Sequence, residues 1–377
     1  MNGLATMKKK YAPLSLALLS AMALFAWADD SCNAPVALDA KVTADVKVTA
    51  DSPITADNEP MPYAGPVQRY AVTSRDLTWV DNSRQRVVPI KIYTPSGEGP
   101  FPVILFSPGL GRSRDDCGYL GIHWASCGYV SVFVQHKGSD NDVLQGTVRP
   151  KKQLREAFDD PKNIRNRPRD IIFVISRLDQ LQQEGSSLGR LLDMQHIGVS
   201  GHDFGAQTAL GLAGQVLPGE VVYAEPRIKA VVAMSAPVPL GQVPLSVAYS
   251  DICTPCLHIT GTDDNSIVAT TQASQRRLPF DYTRGADQFL VIFKGADHMT
   301  YSGHVFASLN GRSDAMFQRL IARSSTAFWD AYLKDNGTAK HWLADDGLHE
   351  MLGAKASVEK KIGEQKAVSM VPGNGSR

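Results

Sequence analysis

The tightest constraint on this chain lies between His196 and Ala206. There the run His196-Ile197-Gly198-Val199-Ser200 leads into Gly201-His202-Asp203-Phe204-Gly205-Ala206. Residues 196–200 read as a strand and 206–214 as a helix, with glycines on both sides of the centre. A strand that passes directly into a helix needs a tight turn, and glycine shoulders let the backbones close on each other. The central side chain, Asp203, is then pushed out over the end of the sheet. The helix behind it aims N–H groups and the positive end of its dipole at that side chain.

The rest of the chain supplies a frame for such a turn. Strand-like runs at 87–93, 103–106, 129–134, 229–234, 256–260 and 289–293 alternate with helix-like runs at 115–127, 169–183 and 312–333. Within 169–183, Ile172, Ile175, Leu178 and Leu181 recur on one face. Alternation at this spacing predicts an α/β fold with a mostly parallel central sheet and helices on both faces. Only residues 235–255 separate the strand after the elbow helix from the next, too few for a large cap domain. The chain has 377 residues, with 39 Lys+Arg against 38 Asp+Glu. A balance this even lacks the basic excess of a nucleic-acid binder, so no nucleic-acid partner is expected.

The ends read differently. Lys8, Lys9 and Lys10 precede an apolar run to Trp27, and Ala26-Trp27-Ala28 has the small-x-small pattern of a signal-peptidase site. Residues 1–28 are therefore expected to be a signal peptide, and the mature protein to be exported to the periplasm or beyond without a membrane span. Residues 29–66, with a repeated Val-Thr-Ala-Asp and several prolines, read as a polar linker. Residues 67–352 are the expected folded domain, and 353–377 a flexible polar tail. Export permits disulfides. Cys253-Thr254-Pro255-Cys256 could close a small ring, Cys117 and Cys127 are a second candidate pair, and Cys32 is left over.

Several further motifs carry a resemblance: Phe106-Ser107-Pro108-Gly109-Leu110-Gly111, Gln135-His136-Lys137-Gly138-Ser139-Asp140, Arg167-Pro168-Arg169-Asp170, Thr260-Gly261-Thr262-Asp263-Asp264 and Gly295-Ala296-Asp297-His298-Met299. With the elbow, they make residues 83–333 similar to the α/β-hydrolase family. The nearest branch is that of bacterial predicted dienelactone hydrolases and platelet-activating-factor acetylhydrolase-like esterases. Those relatives carry serine at the elbow centre, where this chain has Asp203.

The resemblance implies a hydrolase acting on a small-molecule or polymeric ester or related acyl substrate. It implies Asp264 as the acid that orients a histidine and His298 as the base, in chain order after Asp203. One strand earlier, where some relatives keep their acid, stands Ser235, which cannot serve as one. The oxyanion hole would be the N–H groups of Leu110 and Phe204. Trp124, His136 and His202 are candidates for the pocket wall, with core packing as the alternative, and Gln207 flanks the elbow. No metal-ligand set converges and no phosphate-binding Gly-Lys-Ser/Thr loop occurs, so no metal or cofactor is expected.

Aspartate changes the chemistry. Its attack on an ester carbonyl would give an anhydride by way of an intermediate that expels the carboxylate again. A carboxylate suits displacement at saturated carbon, as in related dehalogenases and epoxide hydrolases. Three readings follow: an ester hydrolase in which Asp203 serves water as a base, an Asp-nucleophile hydrolase of epoxide or haloalkane type, and a catalytically impaired binding protein. N-terminal sequencing of exported protein tests the leader and should begin at Asp29; an intact Met1 or Met7 would contradict it.

Overall fold

The computed structural model describes residues 41–46, 61–63, 69–219, 221–303 and 314–363. Its strands are β1 (Lys41–Val46), β2 (Val72–Asp81), β3 (Arg86–Pro95), β4 (Phe101–Ser107), β5 (Val130–Val134), β6 (Leu192–His202), β7 (Ile228–Met234), β8 (Cys256–Asp263), β9 (Gln288–Asp297) and β10 (Ala356–Lys361). The helices are α1 (Gly118–Ser126), α2 (Pro150–Asp159), α3 (Pro161–Gln183), α4 (Phe204–Leu212), α5 (Leu245–Ala248), α6 (Leu278–Tyr282), α7 (Asp314–Leu333), α8 (Gly337–Ala344) and α9 (Gly347–Leu352). All strands join one sheet in the order β1-β2-β3-β5-β4-β6-β7-β8-β9-β10. Strands β5, β4, β6, β7, β8 and β9 run parallel; β1 to β3 at one edge and β10 at the other pair antiparallel.

A parallel strand covered on both faces has no need of polar alternation, and β4 is buried at every position. Its period of two divides it between two cores. Ile104 and Phe106 pack with Trp124 of α1 and Phe328 and Trp329 of α7. Val103 and Leu105 pack with Ile171, Val174 and Leu178 of α3 and with Ala206, Ala209 and Leu210 of α4. Helices therefore cover both faces of the sheet.

Some expected boundaries move. Helix α3 begins at Pro161, ahead of residue 169, because the Asp160 side chain accepts from Lys162 N at 2.8 Å and caps it. Strand β2 was absent from the sequence reading because its run is mostly polar, although Leu77 and Trp79 are buried on one face. The stretch read as a linker contains β1, whose β-branched Val42, Thr43 and Val46 suit a strand and which pairs with β2. At its far end Met61 is buried and Tyr63 Oη donates to Asp330 at 2.9 Å.

The stretch read as a fraying tail also needs correction. Residues Ala356–Lys361 pair with β9 along their whole length, closing an otherwise open edge. Ala356 is buried there, and Lys361 Nζ donates to the Phe280 and Asp281 carbonyls at 2.6 and 2.8 Å. The segment read as a signal peptide, Cys32 and residues beyond 363 lie outside the described residues. Among those described, no helix is long and apolar enough to cross a membrane.

The expected cysteine pairs are not formed. Cys117 and Cys127 flank α1, and ten residues of helical rise separate them by roughly 15 Å, well past the reach of about 7 Å between bridged Cα atoms. Cys253 is exposed and free, whereas Cys256 is buried at the start of β8, where its thiol donates to Thr254 O at 3.2 Å. Burial pushes that thiol up to about 12.

Phe106 is fully buried and stacks on Phe133 at 4.5 Å between centroids. Phe106→Ala should lower the unfolding free energy by about 3–5 kcal/mol, read by urea denaturation. A change below 1 kcal/mol would mean that this face of the sheet is not tightly packed.

Candidate active site

The C-terminal ends of adjacent parallel strands are where an open α/β sheet offers a crevice. Here β4, β6, β7, β8 and β9 deliver Ser107, Asp203, Ser235, Asp264 and His298 to one end of the sheet.

Asp203 occupies the turn between β6 and α4 with φ 53° and ψ −121°. Positive φ is costly for a residue with a Cβ, by about 1–3 kcal/mol, and persists only where the surroundings enforce it. Both shoulder glycines do so. A Cβ on Gly201 would run into the Gly205 carbonyl, and one on Gly205 into the Ser107 carbonyl at the end of β4. The helix thus sits directly against the loop that follows β4.

That closeness sets the position of the carboxylate. Asp203 Oδ2 accepts from Leu110 N at 3.2 Å, and the Phe204 amide favours the charged form of the carboxylate. One of the two amides expected to form an oxyanion hole therefore holds the protein's own aspartate. Its other oxygen, Oδ1, lies 3.8 Å from His298 Nε2. Burial acts to raise the Asp203 carboxyl, but His298, His202, Arg276 and the Phe204 amide together bring it below the usual carboxylate value. The group is ionised at neutral pH.

His298 is oriented from behind. Its Nδ1 stands 3.0 Å from Asp264 Oδ1 and 3.2 Å from Arg276 Nη2, while Nε2 is turned toward Asp203. Asp264 is fully buried. Its oxygens accept from Ser235 Oγ and Thr260 Oγ1, each at 2.8 Å, and Arg276 Nε lies 3.1 Å from Oδ1. Ser235 Oγ is also 2.9 Å from His298 Nδ1. Ser235 thus contacts both Asp264 and His298. The structure brings Asp264 and His298, the two expected partners, into contact, and adds Arg276 and Thr260, whose contacts are visible only in three dimensions.

A second buried network braces the oxyanion loop. His136 lies between Ser107 Oγ at 2.9 Å and Asp170 Oδ2 at 3.0 Å. Ser107, His136 and Asp170 have the connectivity of a catalytic triad, yet all three are fully buried and Arg167 also donates to Ser107 Oγ at 3.1 Å. No substrate reaches that hydroxyl. Arg167 further donates to Pro108 O, to Ser139 Oγ at 2.9 Å and to Thr208 Oγ1 at 3.1 Å, and its guanidinium lies 4.6 Å from the Phe204 ring centroid. One cation thereby touches both the loop carrying Leu110 and the residue supplying the second amide. Burial pushes Asp170 up, but bonds from His136 and Arg86 outweigh it and hold the carboxyl at about 2.

The cleft over Asp203 has a volume of about 190 Å³ and is lined by His202 and His298 and by Leu110, Leu154, Phe158 and Val268 among others. Its cover comes from α2 and from the loop after β8, not from the short segment between β7 and β8. Of the three wall candidates only His202 faces the cleft. His136 belongs to the buried network, and Trp124 is a core residue whose Nε1 donates to Ser325 Oγ at 3.0 Å. Among the described residues no group of three or more His, Cys, Asp or Glu side chains is arranged to hold a metal ion. Neither a protein-family model nor a curated protein matches this chain.

Burial, the largest influence on each, brings His136, His202 and His258 down to about 4. An unfolded histidine titrates near 6.5, so between about pH 6.5 and 4 the unfolded chain binds more protons than the folded one. Stability is then complete above pH 6.5 and falls as pH drops toward 4. Urea unfolding from pH 7.5 to 4.5 should show this decline, and His258→Gln, remote from the cleft, should flatten part of it. A midpoint independent of pH over that window would contradict these buried neutral imidazoles.

Proposed function

We propose that this chain is a hydrolase of the α/β-hydrolase fold, with Asp203, His298 and Asp264 as its catalytic residues and Asp203 carrying the substrate as a covalent ester. The strand order and the elbow between β6 and α4 support the fold. The observation that carries the mechanism is the seat of the Asp203 carboxylate, Oδ2 on the Leu110 amide and Oδ1 3.8 Å from His298 Nε2.

In this mechanism Oδ1 attacks a saturated carbon of the substrate, and the bond to the leaving group breaks with its electron pair. Oδ2 becomes the carbonyl oxygen of an alkyl ester, already inside the oxyanion hole. His298 Nε2 then takes a proton from water as the hydroxide oxygen adds to Asp203 Cγ. The Leu110 and Phe204 amides hold the negative charge on Oδ2, an effect worth about 100- to 1,000-fold per donor in comparable sites. Collapse releases an alkoxide, which recovers the proton from His298, and the Asp203 carboxyl, left carrying the hydroxide's proton, gives it up to solvent and is ionised again. The resemblance to esterases fits the second half: an esterase apparatus acts on an ester the enzyme makes itself.

A second reading has His298 or Asp203 directing water at the carbonyl of a carboxylic-ester substrate. The short segment between β7 and β8 favours it, since the Asp-nucleophile relatives usually carry a large cap there. The proposed setting, following the leader, is outside the cytoplasm.

Isotope placement separates the readings. Purified protein is mixed in excess with an epoxide, a haloalkane or an activated ester in H₂¹⁸O, and both product and Asp203 peptide are weighed. The covalent mechanism places the label in Asp203 and unlabelled oxygen in the first-turnover alcohol. Label entering the product directly would support water attack, and no turnover across the panel would leave a binding protein. Asp203→Ser should acylate with activated esters and take a fluorophosphonate label that the native chain refuses. A folded Asp203→Ser that does neither would refute the assignment of His298 and Asp264.

A further inference from the structure

Arg112 stands two residues beyond Leu110, on the loop whose amide holds Asp203, and it lines the cleft. Its half-buried side chain reaches the residue after His298, with Nη2 donating to Met299 Sδ at 3.5 Å. Met299 also lines the cleft, so the guanidinium lies in its wall between the loops of Leu110 and His298. A thioether is a weak acceptor without charge. Among the described residues no carboxylate pairs with Arg112, and its Nε and Nη1 make no hydrogen bond, yet neither atom is sealed from solvent. Arg276, the cation behind His298, is by contrast already paired with Asp264. A half-buried guanidinium has given up part of its hydration and normally has an anion in exchange. Arg112 has none.

We propose that Arg112 binds a carboxylate on the substrate, and that the chain acts on a small carboxylic acid whose reacting carbon lies close to that carboxylate. The proposal rests on the reading of Asp203 as the reacting centre. Two features of the cleft set the class. Its volume of about 190 Å³ suits a small molecule better than a long acyl chain. Asp203 is ionised, so an anion entering the cleft is repelled at the atom where reaction occurs. Among the described residues that line the cleft, Arg112 is the sole lysine or arginine, and its charge offsets that repulsion. Its planar fork of donors also matches the two oxygens of a carboxylate. A neutral amide of the same shape leaves the guanidinium without an anion, so the cleft selects by charge.

The test measures binding without turnover. Butanoate and butanamide share a chain and nearly a shape, but only the first is an anion near neutral pH. Ligand-observed NMR titration of the full chain at low salt should show butanoate binding about 10-fold tighter. Added salt should shrink that preference, because the guanidinium is in contact with solvent. In Arg112→Gln the preference should fall to about 2-fold or less, since Asp203 then meets the anion unopposed. Arg112→Lys, which keeps the charge and loses the fork, should retain about 3-fold.

Equal binding of the two ligands by the native chain would overturn the proposal, and that measurement stands even if Arg112→Gln does not fold. A preference unchanged in a folded Arg112→Gln would overturn it as well, by placing the anion elsewhere. Butanoate binding that depends on Arg112, with no turnover of any substrate, would sink the hydrolase reading alone. Turnover of neutral substrates with no preference for butanoate over butanamide would sink this one alone.

Discussion

The seat of α4 against the end of β4 is the contact on which the cleft depends. Gly205 has no Cβ, so the helix reaches the Ser107 carbonyl, and the Pro108-Gly109-Leu110 loop lies over the elbow. That approach brings the Leu110 amide to the Asp203 carboxylate and leaves Asp203 in a positive-φ conformation. A strained residue needs compensation. The Leu110 amide and the packed shoulder glycines supply it, and the turn holds one carboxylate oxygen on that amide while the other stands 3.8 Å from His298 Nε2.

Charge is managed by the same economy of contacts. Three carboxylates, Asp170, Asp203 and Asp264, lie within or at the edge of the core, where an unpaired ion would be severely penalised. Each has its own partners. Asp264 has Arg276, Ser235 and Thr260; Asp170 has Arg84, Arg86 and His136; Asp203 has backbone amides and the field of His298. Buried polar networks of this type are rigid when every member is satisfied. The bracing falls on Asp264 behind His298 and on the loop that carries Leu110.

The cover of the cleft is built with less rigidity. Leu154 and Phe158 reach it from α2, a helix with one buried residue, and Val268 reaches it from the loop after β8. Arg155 Nη1 joins the two pieces through the Val268 carbonyl at 3.3 Å. The floor of the cleft therefore rests on two cores, whereas its walls come from surface insertions.

Local order was open to reading from the chain alone. The elbow announced itself because strand, glycine shoulders and helix are adjacent in sequence, and the parallel core strands did so because burial on both faces leaves unbroken apolar runs such as 101–106. Asp264 and His298 could be located because each follows directly on a strand, so topology carries them to the same end. Strands β1, β2 and β10 escaped notice, or were read as linker and tail, because an edge strand is half solvated and its composition resembles a loop. The partners of the site were likewise beyond the sequence: Arg167 meets Ser107 across 60 positions and Arg276 meets Ser235 across 41. Such pairs leave no periodic mark, since what joins them is the packing of distant elements. Tertiary structure alone decided that Asp203 sits on the Leu110 amide, because the seat of α4 against the end of β4 sets the distance between that carboxylate and the amide.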